Sequence, residues 1–399
     1  MKTLKSLYKI GRGPSSSHTM GPEKACKMFK NLYPDADFFK VVLFGSLSAT
    51  GKGHLTDRVI SETLGKDCSE VVFGETEGEF RHPNKMTFYA YKNGEKTGEQ
   101  TYYSIGGGAV ITENEGEVSE KEVYPHNSFN EIKAFCTENN LKLWEYAEVF
   151  DDADLFSYLR EIWIAMKACI KSGLSEKGVL PGELKTERKA RTLYEQYALN
   201  ESSIATQNRM VCAYAFACSE NNAAGGTVVT APTCGSCGVL PSVLYFLQQK
   251  NDVPENEIIK ALAVAGIIGN IVKTNASISG AECGCQAEIG VACAMASAAV
   301  AQLYGMNIDQ IEYAAEIAIE HHLGLTCDPI CGLVQIPCIE RNAVAALRAL
   351  NEVTLPLFIT GSRKITFDDA VKTMYETGRD LGNKYRETSK GGLAKLFKE

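Results

Sequence analysis

The chain lacks any apolar run long enough to cross a bilayer: the two longest, residues 261–272 and 289–301, fall short of the ~18 residues required. Both are expected to be buried helices. The N-terminus reaches a polar Gly11-Arg12-Gly13-Pro14-Ser15 stretch before any apolar segment of about 7 to 15 residues, which argues against a secretory leader. Positive charge is not in surplus either. With 41 Lys and Arg against 49 Asp and Glu, the net charge of -8 opposes attraction to phosphate backbones and anionic membranes. No repeat at a solenoid-like period and no low-complexity tract interrupts the chain. Histidine is scarce, at six residues. These absences point away from nucleic acid and membrane as partners and towards a cytoplasmic enzyme with few candidate bases.

The 399 residues suggest two domains at roughly 100 to 200 residues each, and 45% apolar with 23% charged side chains suits a globular core. Fourteen cysteines are many, yet too sparse for a disulfide-stapled scaffold, so thiols or metal ligands are expected. Between residues 40 and 112 the β-branched and aromatic runs KVVLFGS, EVVF, MTFYAYK and AVIT predict strands, with Asn93-Gly94 as a hairpin turn. Helices are expected at 22–32 and 55–64. Beyond Asp154 the period changes: Leu155, Leu159, Ile162, Met166 and Ile170 recur at helical steps. Ala- and Ile-rich segments at 256–272, 288–304, 311–322 and 342–350 continue the pattern. The expected fold is α+β: a small N-terminal α/β sandwich domain over 1–138, then a larger all-helical catalytic domain over 139–399.

Cysteine placement carries the chemistry, because eleven of the fourteen lie after residue 168 and several sit in Gly- or Pro-containing breaks between helices. A buried cysteine is often only a small hydrophobe. Here, however, Cys283, Cys285, Cys327, Cys331 and Cys338 crowd into SGAECGCQAE and LTCDPICGLVQIPCIERN. The Cys285-x41-Cys327-x10-Cys338 spacing, together with SSSHTMGP (15–22), GKGHLTD (51–57), SIGGG (104–108), VVTAPTCGSCG (228–238), NASISGAE (275–282) and HLGLTCDP (322–329), resembles the iron–sulfur L-serine dehydratases. The motifs occur in that family's order over nearly the whole chain.

The resemblance implies a [4Fe-4S] cluster held by Cys285, Cys327 and Cys338, no pyridoxal phosphate, and elimination of water from L-serine to give pyruvate and ammonia. A homodimer is expected. Three thiolates leave one iron open as a Lewis acid for the β-hydroxyl, while a base takes the α-proton. Cys234, Cys283 and Cys331 depart from the family pattern and are expected not to be ligands. The Cys234-x-x-Cys237 pair alone would also allow a redox or half-zinc reading. No cysteine follows Cys338, so the GGLAKLFKE tail is expected to leave the open iron to water or another small ligand.

Among the histidines, His54 follows Gly51-Lys52-Gly53 and precedes Asp57, so a turn would present it at a helix start with Asp57 orienting the ring. It is the favoured base, against the alternative of a helix cap. His18, in Ser15-Ser16-Ser17-His18-Thr19 ahead of Gly21-Pro22, could receive the substrate carboxylate or belong to an ordinary N-cap. His321 and His322 are expected to complement a helix C-terminus. Lys273, Thr274, Asn275, Ser277 and Ser279 form a polar island before Cys285, with the substrate's charged groups as attractive partners for Lys273, Asn275, Ser277 and Ser279. Arg341 could clamp a carboxylate or pair with Glu340. The competing readings are a pyridoxal-phosphate dehydratase using Gly106-Gly107-Gly108, an iron–sulfur cysteine desulfidase, and a cluster-based redox carrier.

Overall fold

The computed structural model describes residues 1–113, 122–196, 200–359, 361 and 363–397. Among the described residues seven strands are formed: β1 (Ile10–Arg12), β2 (Phe38–Leu43), β3 (Ser69–Phe73), β4 (Lys85–Lys92), β5 (Glu95–Ser104), β6 (Val110–Thr112) and β7 (Thr227–Val229). Five of them make one sheet in the order β3-β2-β4-β5-β6, with β2 and β3 parallel and the other pairs antiparallel. Asn93 and Gly94 both take positive φ, 52° and 83°, as a tight β4–β5 hairpin of primed type requires. Gly106, Gly107 and Gly108, also all at positive φ, make the β5–β6 connection.

Parallel pairing of β2 with β3 demands a crossover, and this one runs through helices Gly45–Thr50 and Thr56–Leu64. The crossover carries His54 between its two helices. Helix Gly21–Leu32, opened by Pro22, turns Ala25, Cys26 and Phe29 onto the sheet, where they meet Val41, Leu43, Phe88 and Tyr102. The result is a two-layer α/β unit with its own core.

The second core is larger and almost entirely helical. Helix Leu155–Ser175 buries the expected stripe, and helices Glu255–Asn275 and Val291–Leu303 are buried nearly all round. Residues at the far N-terminus belong to this core as well: Met1, Leu4, Leu7 and Tyr8 pack into it, and helix Phe129–Glu138 adds Phe129, Ile132 and Cys136. β7 is the exception to an all-helical second part. It pairs antiparallel with β1, Ile10 opposite Val229, and so staples the start of the chain to the helices.

One expected helix is longer and less regular than its sequence suggested. Residues 286–303 are helical throughout, 18 residues, because a π-turn at Gln286–Gly290 precedes the apolar stretch. That span meets the length and hydropathy of a membrane helix, but 83% of it is buried inside the protein, as a core helix should be.

Candidate active site

Two histidines reach the site from separate segments of the N-terminal unit. Ser15 accepts a hydrogen bond from the backbone N–H of His18 (3.1 Å) and caps a π-turn at Ser16–Met20 ahead of helix Gly21–Leu32. The serine run therefore does cap, as its composition allows. His18 is fully buried, with Nδ1 3.0 Å from Ser17 Oγ and Nε2 3.0 Å from Ser46 Oγ. Thr19 Oγ1 donates to the His54 carbonyl (2.8 Å) and Thr56 Oγ1 to the His18 carbonyl (2.6 Å). This reciprocal pair of bonds fixes one histidine backbone against the other. The two rings lie 4.5 Å apart between centroids.

His54 is oriented by Thr50, not by Asp57. Its Nδ1 lies 3.0 Å from the Thr50 carbonyl, an acceptor only, so Nδ1 carries the proton and Nε2 presents a lone pair. The turn at 50–54 closes by His54 N–H donating back to that same carbonyl (3.1 Å), while the Asp57 carboxylate begins the next helix on its first turn. Burial lowers the His54 pKa to about 4, and burial with His54 alongside lowers that of His18 well below the ordinary value. Both imidazoles are neutral at physiological pH.

Cysteines face them from the helical part. Cys285 starts the π-turn at Gln286–Gly290, preceded by Gly284 at φ +72°, where a side chain would also strike the Leu325 carbonyl at 2.7 Å. Cys327 lies in an extended break, and Cys338 opens helix Cys338–Glu352, whose N-terminal dipole favours a thiolate. All three line one small cavity with Pro14, Ser15, His54, Glu288 and Glu387. Ligand atoms of Cys285, Glu288 and Cys327 lie within 4.8 Å of one another. Gly53 lets the histidine turn come this close, since a Cβ there would sit 2.5 Å from the Gly332 carbonyl of the cysteine loop.

These sulfurs are poorly satisfied as thiols. The Cys285 sulfur and burial push the Cys327 thiol up, and burial with Cys285 nearby does the same to Cys338. All are free cysteines. Three soft donors, Cys285 and Cys327 buried and Cys338 half-buried, held together without disulfides fit a thiophilic metal centre, whose charge would deprotonate them. Arg341 stands beside Cys285 and Cys338, donating to the Thr326 carbonyl (2.6 Å) and pairing with Asp328 (3.4 Å) rather than with Glu340.

Other expected site residues are placed elsewhere. Lys273 donates to the Ser6 carbonyl and hydroxyl (3.0 and 3.1 Å), and Asn275 to the Asn127 and Ile271 carbonyls (2.6 and 3.0 Å), so neither side chain is directed at the cavity. Thr274 bonds back to Asn270. Ser277 donates to Glu282 and accepts from the Ser279 N–H, making a local turn before helix Gly280–Cys283. A helix that ends by tying itself to residues 6 and 127 explains why this island is polar. Cys283 packs against Gly378, Cys234 lies 3.4 Å from the Met20 sulfur, and Cys331 is exposed at φ +55°. His321 and His322 bond to carbonyls of their own helix, Ile317 and Ala318.

Two carboxylates were missed. Glu288 is one helical turn beyond Cys285, a spacing from which its presence on the same face was readable; Thr233 donates to it (2.6 Å), and burial raises its pKa. Glu387 carries no such signal. Residues 385–393 run along the cysteine loop, with Cys327 N–H donating to the Tyr385 carbonyl and Glu387 N–H to the Cys327 carbonyl, both at 2.8 Å. Glu387 Oε1 thereby comes to 3.6 Å from His54 Nε2.

A family model described as the serine dehydratase alpha chain matches residues 84–394, and one described as the beta chain matches residues 3–71. The chain belongs to the serine dehydratase family. Within it, the chain is 40% identical to L-serine dehydratase 2 of Escherichia coli (strain K12), over 99% of this chain and 98% of that one. It is likewise 40% identical to an L-serine dehydratase of Haemophilus influenzae, over 99% of each, and 39% to one of Streptomyces coelicolor, over 97% of each. Family membership accounts for both halves of the site in one polypeptide, histidines in the beta-chain segment and cysteines in the alpha-chain segment.

Proposed function

We propose that this protein dehydrates L-serine, releasing pyruvate and ammonia. The observation that carries the reading is the meeting, in one cavity, of a neutral buried imidazole with an exposed lone pair and three unpaired cysteines. A [4Fe-4S] cluster bound by Cys285, Cys327 and Cys338 would supply an iron without a protein thiolate, a Lewis acid for the departing β-hydroxyl.

The chain's own residues supply the remainder. His54 Nε2 takes the α-proton, with Nδ1–H anchored on Thr50 so that the ring need not turn as charge develops. The Ser15 and Ser17 hydroxyls, 3.3 Å apart beside His18, receive the substrate carboxylate, with Ser16 and Thr19 shaping the π-turn that presents them. Loss of the α-proton and β-hydroxide leaves an enamine, which becomes an imine and is hydrolysed to pyruvate and ammonia. The surrounding core excludes bulk water from the reacting carbon.

The site histidines belong to the part expected over 1–138 and the site cysteines to that over 139–399, although residues 1–8 and helix Phe129–Glu138 pack into the helical core of the second, so the boundary in sequence is not the boundary of the cores. A cytoplasmic, homodimeric state is supported by fourteen unpaired cysteines and by exposed Leu355, Phe358 and Ile359, a surface that a second copy would cover. Anaerobic reconstitution followed by pyruvate assays on L-serine, D-serine, L-threonine and L-cysteine tests the function. Pyruvate from L-serine with little from the others is expected; sulfide release from L-cysteine at a higher kcat/KM would replace it with desulfidation.

A further inference from the structure

Glu387 is built into the cavity wall by more backbone bonding than a tail segment ordinarily has. Beyond the two bonds to Cys327, Ser389 Oγ donates to the Pro329 carbonyl (2.7 Å) and Leu393 N–H donates to Asp328 (2.7 Å). The residue itself holds φ +53°, a left-handed conformation costly for a non-glycine. These restraints aim a carboxylate that is only 8% exposed into the cavity, 3.6 Å from His54 Nε2 and 4.0 Å from His18 Nδ1.

That carboxylate lacks a cation. Among the described residues no N–H or O–H donates to its oxygens, and 3.6 Å is too long for a direct hydrogen bond to the imidazole. Arg341 is engaged by Thr326 and Asp328, both histidines are neutral, and the cavity's other carboxylate, Glu288, already has Thr233. An unpaired buried carboxylate is costly, and a ligand that brings positive charge removes the cost.

We propose that Glu387 is the ammonium-recognising residue of this site, accepting the substrate's α-ammonium and so setting the neighbouring Cα–H against Nε2 of His54. The carboxylate oxygen and the imidazole nitrogen are close enough that two substituents of one tetrahedral carbon reach both. The site then selects α-amino acids over 3-hydroxy acids without the amino group, a preference that nothing in Ser15, Ser17 or the cysteines would impose. This inference rests on the L-serine dehydration proposed above.

The test uses anaerobic holoenzyme with L-serine as substrate and 3-hydroxypropionate, which has the carboxylate and hydroxyl but no ammonium, as competitive inhibitor. Glu387→Gln should raise KM for L-serine about 10- to 100-fold, the loss of a charge-assisted contact, while the inhibition constant for 3-hydroxypropionate stays within about twofold. Glu387→Asp should recover part of the L-serine affinity. Parallel weakening of both ligands would show that Glu387 only holds the tail, and unchanged KM would remove it from the site; either result overturns the proposal. Ligand-induced shifts in unfolding temperature separate the two readings. Wild-type protein that prefers L-serine to 3-hydroxypropionate in binding, with the preference lost in Glu387→Gln, but makes no pyruvate would sink the dehydration alone; pyruvate formation with no such preference would sink the ammonium recognition alone.

Discussion

The two walls of the cavity are held in opposite ways. On the histidine side the two rings and their backbones are held by hydrogen bonds, His18 between two serine hydroxyls, His54 through Nδ1 on Thr50 with Nε2 left open, and the backbones cross-clamped by Thr19 and Thr56. On the cysteine side the backbone is fixed, by Gly284, the π-turn and the Cys327 bridge to the tail, but the sulfurs meet mainly one another and Arg341. Under the proposed function the base would be pre-oriented by the fold alone, whereas the acid side would be a ligand set for a metal to complete.

The comparison breaks most sharply on the cysteine side. Replacing Cys285, Cys327 or Cys338 by Ala should remove the visible cluster absorbance and abolish turnover together, measured by anaerobic spectroscopy and pyruvate release. Cys283→Ala and Cys331→Ala should keep both. Next in size is the base: His54→Gln should keep the cluster spectrum and lose about 10²- to 10⁴-fold in kcat, the usual scale for a general base. Near-normal turnover in that variant would move the base to another group.

A smaller effect sharpens the contrast through pH. The ordinary histidine pKa is 6.5, and burial lowers that of His54 to about 4, so between these values the unfolded chain binds a proton that the folded chain refuses. The corresponding stability is present above pH 6.5 and is lost as pH falls from 6.5 towards 4. Relative to wild type, His54→Gln should therefore flatten the slope of unfolding free energy by about 1.4 kcal/mol per pH unit within that window, read by denaturant titration. Smallest is the clamp. Thr56→Val, which deletes one of the two hydroxyl bonds, should cost about 1 kcal/mol in unfolding while leaving the iron content unchanged.

Strands and helices were legible because their signals are local: Asn93-Gly94 at a hairpin, β-branched runs in the sheet, the 155–170 stripe on one helix. The π-turn at Gln286–Gly290 was not, since an apolar run looks the same whether its first turn closes to i-4 or i-5. At the site, the cysteine spacing led to the residues that the fold assembles. The histidine environment was harder to read. Asp57 is three residues from His54 and seemed the natural partner, yet the turn closes on the backbone carbonyl of Thr50, an acceptor that every residue type possesses. Lys273 and Asn275 misled because their partners, Ser6 and Asn127, lie about 150 or more positions away in the chain, and sequence carries no record of that proximity. Glu387 entered the cavity by the same long-range route, through pairing with the loop of Cys327.

A metal-completed cysteine wall opposite a pre-oriented base is tested most directly by following iron and pyruvate in one anaerobic sample. Brown protein with about four irons per chain, as one cubane cluster requires, is expected, with L-serine turnover that falls in step with iron on chelation and returns on reconstitution. Full turnover by colourless, iron-free protein would contradict it.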